Sequence, residues 1–291
     1  MTSAQFDNDR KLIWLASYPK SGNTWLRSLL TAYLLPHDEF DLNAMLGEQD
    51  PFDRQQLDDH AGISSADFLP HELIPYQAQL HRDMAQESEN WRLIKTHSAY
   101  VKADNREPLF PADASAGVIV IVRNPLDIVP SYAHHEGKDN AWVIAHLGNE
   151  HAGTDSWRHR STTMLPQTMS SWSINVESWL SQSEVPILLL RYEDMHRDTE
   201  ASLTKALRFC AIEIEPGLVT KAVSRCSIDR LRIDEAKKGF NERPSTQRSF
   251  FRSGKIGDGA KNLSKDQISM ILNDHGRVME MVGYPANSSI L

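Results

Sequence analysis

A strand, a glycine-bearing loop and a helix follow one another at the start of the chain, and that order commits the rest to an α/β architecture. Lys11 to Ser17 reads KLIWLAS, a short apolar run closed at Tyr18-Pro19, the pattern of a buried strand ending in a turn. Asn23 to Leu35 carries Trp25, Leu26, Leu29, Leu30 and Tyr33 at helical spacing. The loop between them, within SYPKSGNTW, opens a helix whose first N–H groups and positive dipole end point toward whatever sits before it. Gly22 can take a positive φ and lets an anion approach the backbone. Ser21, Asn23 and Thr24 add side-chain donors, and Lys20 adds a full charge. The loop therefore reads as a phosphate cradle, with an ordinary strand-to-helix turn and a solvated lysine as the alternative. It is not a Walker A loop, because Lys20 stands two residues before Gly22 rather than directly after the last glycine.

Three further apolar runs extend the pattern. Arg92 to Lys95 (RLIK), Gly117 to Val122 (GVIVIV) and Val185 to Leu190 (VPILLL) read as strands, and helices are expected over Leu126 to His134 and, after Arg191-Tyr192-Glu193-Asp194, through Phe209. Strands alternating with helices imply right-handed crossovers and a single α/β domain with a mainly parallel central sheet flanked by helices. Ligands in such sheets sit outside the carboxyl ends of the strands, where the polar motifs of this chain fall. Pro130, inside the second helix, predicts a kink or an early break. Phe40 to Gln86 and Gly137 to Pro166 show no clear periodicity and are expected to be long substrate-side loops. No composition break divides residues 1–291 into two domains.

Net charge excludes one large class of partner. Asp and Glu outnumber Lys and Arg, 39 to 31, for a net −8, whereas a general nucleic-acid binder needs a basic surface. With 40% hydrophobic residues, seven Trp and nine Phe, the chain is composed as a globular protein. Two cysteines, Cys210 and Cys226, make a disulfide framework an unsuitable reading and fit a reducing compartment. The polar start from Met1 lacks the features of a secretory signal, and the longest apolar stretch is too short to span a bilayer. The expectation is a soluble cytoplasmic protein that binds no nucleic acid and no membrane.

A second anion site follows the GVIVIV run. Arg123 at that strand end offers a planar fork of donors suited to phosphate, and Ser131 lies about two helical turns on, where its hydroxyl could assist. Pairing of Arg123 with Asp127 is the alternative. After RLIK, Lys95-Thr96-His97 puts an imidazole at a strand terminus, where it could take a proton, although a lone histidine is more often structural. No Cys/His or Asp/Glu cluster has metal-site spacing, so no metal is expected.

With these residues in view, the chain resembles the 3′-phosphoadenosine 5′-phosphosulfate (PAPS)-dependent cytosolic-type sulfotransferases. YPKSGNTW is similar to the family's 5′-phosphosulfate loop, YPKSGTTW, with Asn23 in place of Thr. The resemblance implies that Lys20, Ser21, Gly22, Asn23 and Thr24 cradle the 5′-phosphosulfate and that Trp25 stacks on the adenine. RNPLDIVPSY resembles RNPKDxxxSYY, which implies that Arg123 and Ser131 hold the 3′-phosphate. Arg252-Ser253-Gly254-Lys255-Ile256-Gly257-Asp258 resembles the RKGxxGD clamp on the same phosphate, with Ser253 replacing Lys and Gly259 standing where an aromatic is usual. Tyr192 falls at a tyrosine near the adenine, and Cys226 where an adenine-contacting Thr is usual. The KTH match implies His97 as general base, Lys20 as stabiliser of the leaving bisphosphate and Lys95 as support for the transferring group. SWSINVESW, by the same resemblance, packs beside the acceptor site. The implied reaction moves the sulfuryl group of PAPS to a hydroxyl or amine of a small-molecule acceptor, leaving PAP, in the manner of bacterial natural-product enzymes. A P-loop small-molecule kinase and a non-catalytic PAP-binding protein are the competing readings. The dimerisation pattern KxxxTVxxxE is missing after Lys261, so the oligomeric state is left open.

Overall fold

The computed structural model describes residues 10–36, 40–49, 53–154, 163–244, 247, 249–251 and 254–286. A five-stranded sheet has the order β2-β3-β1-β4-β5. Its strands are β1 (Leu12–Ser17), β2 (Glu48–Gln49), β3 (Arg92–Thr96), β4 (Ser115–Val122) and β5 (Ile187–Arg191). β1 runs parallel to β3, with Leu12 beside Arg92 and Leu15 beside Lys95, and β2 runs parallel to β3 with Glu48 beside Ile94. Neighbours that are not consecutive in sequence require crossovers. Every residue of β1 and β4 is buried, which explains why both read as unbroken apolar runs rather than alternating ones.

The chain divides into two compact units, one of residues 1–18, 47–120 and 149–189, the other of residues 19–46, 121–148 and 190–291. The first contains most of the sheet with α2 (Arg54–Ala61), α3 (Pro70–Glu87) and α6 (Trp172–Ser181). Its aromatic centre is Trp14, which donates its indole N–H to Ser115 Oγ at 2.8 Å and meets the His81 and Phe110 rings edge-on, each at 4.8 Å. Trp179 of α6 packs against Phe110 at 4.7 Å and donates to the Ser98 carbonyl. The second unit is mainly helical: α1 (Asn23–Leu34), α4 (Pro125–Glu136), α5 (Asn140–Gly148), α7 (Tyr192–Arg197), α8 (Thr199–Phe209), α9 (Pro216–Arg225), α10 (Ile228–Lys238), α11 (Gly259–Asn262) and α12 (Lys265–Met281).

Three sequence expectations change. Segment 40–86 is not a continuous loop, because α2 and the eighteen-residue α3 lie within it. Only one face of α3 is buried (Leu73, Ile74, Gln77, Leu80, His81 and Met84 among others), and its mixed polar and apolar inner face with Pro75 masks the period. Segment 137–166 likewise holds α5, which buries Val143, Ile144 and Leu147; residues 155–162 of that segment lie outside the described residues. Finally, α4 runs past Pro130 to Glu136. Pro130 cannot serve the Leu126 carbonyl four residues back, and the chain at Gly259 packs onto that carbonyl instead: a Cβ there would stand 2.2 Å from the Leu126 oxygen.

Candidate active site

The second unit gathers the anion-binding motifs. Lys20 has φ 67, a left-handed conformation a side-chain-bearing residue adopts at a cost, and Gly22 has φ 106. The Arg123 guanidinium stabilises the unusual turn by donating through one Nη to the Lys20 carbonyl at 3.1 Å. Through the other it donates to the Lys255 carbonyl at 3.2 Å, so one side chain joins the first loop to the C-terminal segment. Its Cζ lies over the Tyr192 ring, 4.3 Å from the ring centre. Burial raises the Tyr192 phenol pKa, with Arg123 opposing the rise. The protonated hydroxyl donates to the Gly254 carbonyl at 3.2 Å. A Cβ on Gly22 would come within 2.6 Å of Tyr192 Cδ2, so this position needs glycine for its φ and for its space.

Among the described residues, Ser21 Oγ, in a residue 1% exposed, and Arg123 Nε, in a residue 7% exposed, are buried without a hydrogen-bond partner. Such atoms are costly unless something supplies their bond. Gly22 stands at the N-cap of α1 without a side chain to cap the first turn. Orphaned donors, an uncapped helix start and a guanidinium together suit a phosphorylated ligand, so the residues fit the PAPS that the motifs imply. Asn23 and Thr24 are buried at the start of α1. Half-buried Trp25 donates its indole N–H to the Cys226 carbonyl at 3.0 Å and meets Tyr192 edge-on at 5.6 Å. Ser131 is half-buried on α4. The Cys226 thiol donates to the Ser28 carbonyl, and burial pushes its pKa up to about 12. That thiol stabilises α1, and its backbone carbonyl orients Trp25.

The alternative pairing of Arg123 with Asp127 is replaced by a different arrangement. Asp127 accepts the Gly257 and Gly259 amides at 2.8 and 2.7 Å, while Arg123 donates to carbonyls. Gly259 is thus held between the Asp127 carboxylate and the Leu126 carbonyl, leaving no room for the aromatic usual at that position. Arg252 and Ser253 lie outside the described residues. The Lys20 ammonium is 3.5 Å from His135 Nδ1 and 4.2 Å from the centre of the Phe250 ring, contacts that sequence reading missed.

His97 and Lys95 belong to the first unit. His97 Nδ1 lies 2.7 Å from the Ser17 carbonyl; a carbonyl only accepts, so Nδ1 carries the hydrogen and the lone pair of the neutral ring is on Nε2. The backbone of His97 is fixed from both sides. Its N–H donates to Gln167 Oε1 at 3.1 Å, and its carbonyl accepts from Asn175 Nδ2 at 3.1 Å. Asn175, in SWSINVESW, also donates to the Met169 carbonyl. That segment hence orients His97 by backbone contact, a role that residue type alone does not advertise. Lys95 is buried on β3 beside Leu15. Among the described residues, no group of three or more His, Cys, Asp or Glu side chains could hold a metal, and no helix is long and apolar enough to cross a membrane.

Comparison with known proteins agrees with this chemistry. The description "Sulfotransferase domain" matches residues 10–282. Flavonol 3-sulfotransferase of Flaveria bidentis is 27% identical over 276 residues, covering 89% of this chain and 78% of that protein. Cytosolic sulfotransferase 7 of Arabidopsis thaliana is 24% identical over 273 residues, covering 89% and 76%. A crystal structure of a mouse sulfotransferase complexed with PAP superposes with a TM-score of 0.59 at 19% identity, covering 94% of this chain and 89% of the other, and shows the same fold. The chain belongs to the sulfotransferase domain family and is a PAPS-dependent sulfotransferase of the cytosolic type.

Proposed function

We propose that residues 1–291 act as one sulfotransferase domain that moves the sulfuryl group of PAPS to a hydroxyl or amine of a small-molecule acceptor in the cytoplasm. The family match runs from residue 10 to 282, through both compact units. The names of the relatives, a flavonol sulfotransferase and a cytosolic sulfotransferase among them, support a small acceptor and that location. In this reading His97 Nε2 takes the proton of the acceptor as its oxygen or nitrogen attacks sulfur. The bond from sulfur to the 5′-phosphate oxygen breaks, its electrons leave with PAP, and Lys20 offsets the charge that grows there. Lys95 supports the transferring group. Positioning and electrostatics supply most of the acceleration, as they do in phosphoryl transfer. Ser21, Gly22, Asn23 and Thr24 hold the 5′ end, Trp25 and Tyr192 the adenine, and Arg123, Ser131 and the segment from Arg252 to Gly254 the 3′-phosphate, with Cys226 acting through its carbonyl on Trp25.

The observation that carries this reading is the pair of orphaned buried donors, Ser21 Oγ and Arg123 Nε, in two loops that Arg123 itself joins. Titration calorimetry with PAP, ATP with magnesium, and NAD tests it, followed by labelled PAPS with panels of phenols, alcohols and amines. Heat with PAP and label transfer to one of these classes are expected. ATP binding in preference to PAP favours a kinase and overturns the proposal, and PAP binding without transfer across the panels reduces it to a binding protein.

A further inference from the structure

Within the second unit, two buried carboxylates hold the C-terminal segment in place. Asp127, 3% exposed, accepts the amides of Gly257 and Gly259, and Glu235 on α10, 4% exposed, accepts those of Phe250 at 2.6 Å and Phe251 at 3.2 Å. Arg232 completes the Glu235 side by donating its Nε–H to the Phe251 carbonyl at 3.1 Å, and Arg243 lies 3.7 Å from the same carboxylate. Buried carboxylates that accept two backbone N–H groups form strong, directional bonds. They fix the position of the peptide rather than of any side chain.

At the Glu235 end, fixing the peptide also fixes a ring. Phe250 presents its face to the Lys20 ammonium at 4.2 Å, and the His135 ring meets Phe250 edge-on at 5.8 Å while its Nδ1 receives the same ammonium at 3.5 Å. A lysine side chain has a large rotamer entropy, and whatever holds it before a ligand arrives removes that cost from binding. We infer that Glu235 is a positioning residue for Lys20: it holds the Phe250 ring as a platform on which the ammonium rests, ready for the 5′ end of the ligand. The inference rests on the role proposed for Lys20.

Its test is a double-mutant cycle in PAP binding, which needs no acceptor. Glu235→Gln keeps the size of the side chain but turns one acceptor oxygen into a donor that faces an amide. It should weaken PAP binding by about threefold to tenfold in the wild-type background, the range of a cation–π contact. In a Lys20→Ala background the same change should shift binding by less than about twofold, because the group it orients is gone. Phe250→Leu should follow Glu235→Gln, weakening PAP binding in the wild-type background and by less than about twofold in the Lys20→Ala background, and it provides the same cycle should Glu235→Gln fail to fold, while Phe250→Tyr, which keeps the ring face, should bind PAP as the wild type does. Equal losses in both backgrounds, or no loss in either, overturn the inference, since a merely structural Glu235 weakens binding whether or not Lys20 is present. If the wild-type protein gives no heat with PAP, the proposed function has failed, and this inference falls with it.

Discussion

Replacing Gly22 by alanine tests the geometry of the phosphate loop more sharply than removing any charged group, because the new methyl carries no chemistry of its own. At φ 106 the substitution forces an L-residue into left-handed backbone, which costs about 1–2 kcal/mol. The methyl also stands 2.6 Å from Tyr192 Cδ2, so the ring must shift. Moving it weakens the hydroxyl bond to the Gly254 carbonyl, worth about 1 kcal/mol, and the stacking of Arg123 4.3 Å away, worth about 0.5–2 kcal/mol. Together these reach about 2.5–5 kcal/mol, a fall in Tm of at least about 5 °C for a chain of this size. PAP affinity should drop at least about tenfold, since the loop and Arg123 are disturbed together. Thermal unfolding and PAP calorimetry read both effects. The decisive measurement is Gly22→Ala in a Tyr192→Ala background: with the ring gone, only the backbone term should remain, about 1–2 kcal/mol. Equal losses in both backgrounds would refute Tyr192 as the wall that demands glycine.

His97→Ala should lower kcat by orders of magnitude with PAP affinity and Tm close to wild type; near wild-type turnover removes the residue from the base role. Asn175→Ala, which frees the His97 and Met169 carbonyls, should lower kcat in the same direction by a smaller factor, with unfolding curves checking that the loss is not one of stability alone. Arg123→Ala should chiefly raise the KM for PAPS, and an effect on turnover alone, in steady-state kinetics at varied PAPS, contradicts its 3′-phosphate role. Burial of His275 on α12 lowers its pKa from 6.5 to about 4. Between those values the unfolded chain binds the proton that the folded protein refuses, so stability is held above about pH 6.5 and declines as pH falls toward 4. His275→Gln should flatten that limb of a Tm-against-pH curve, and an unchanged slope argues against the buried neutral imidazole.

Four of the five described strands were legible: β1 and β4, buried along their whole length, leave runs such as GVIVIV without polar interruption, while β5 shows an apolar run although four of its five residues are half-buried. The two-residue β2 is too short to leave a pattern. α3 escaped for the opposite reason: its buried face includes Gln77 and His81, so its apolar period is broken at the positions that should carry it. The phosphate loops were visible because Lys20, Gly22 and Arg123 act through side-chain charge or the lack of a side chain, and residue type records both. Asp127, Glu235 and Asn175 act on backbone groups that residue type does not identify. For Asp127 the partner amides lie 130 and 132 residues away, and no local spacing encodes such pairs.

Pro130 and Gly259 are a matched pair. One withholds a donor from the Leu126 oxygen, and the other brings a bare α-carbon against the side of the helix that this leaves open. Grafting a relative's aromatic residue onto position 259 alone should therefore push the C-terminal segment off α4, and the graft requires rebuilding the helix wall at 126–130 in the same step. For anyone recombining pieces of these enzymes, the crossover points in this chain are set by that contact between distant residues rather than by where the motifs begin and end.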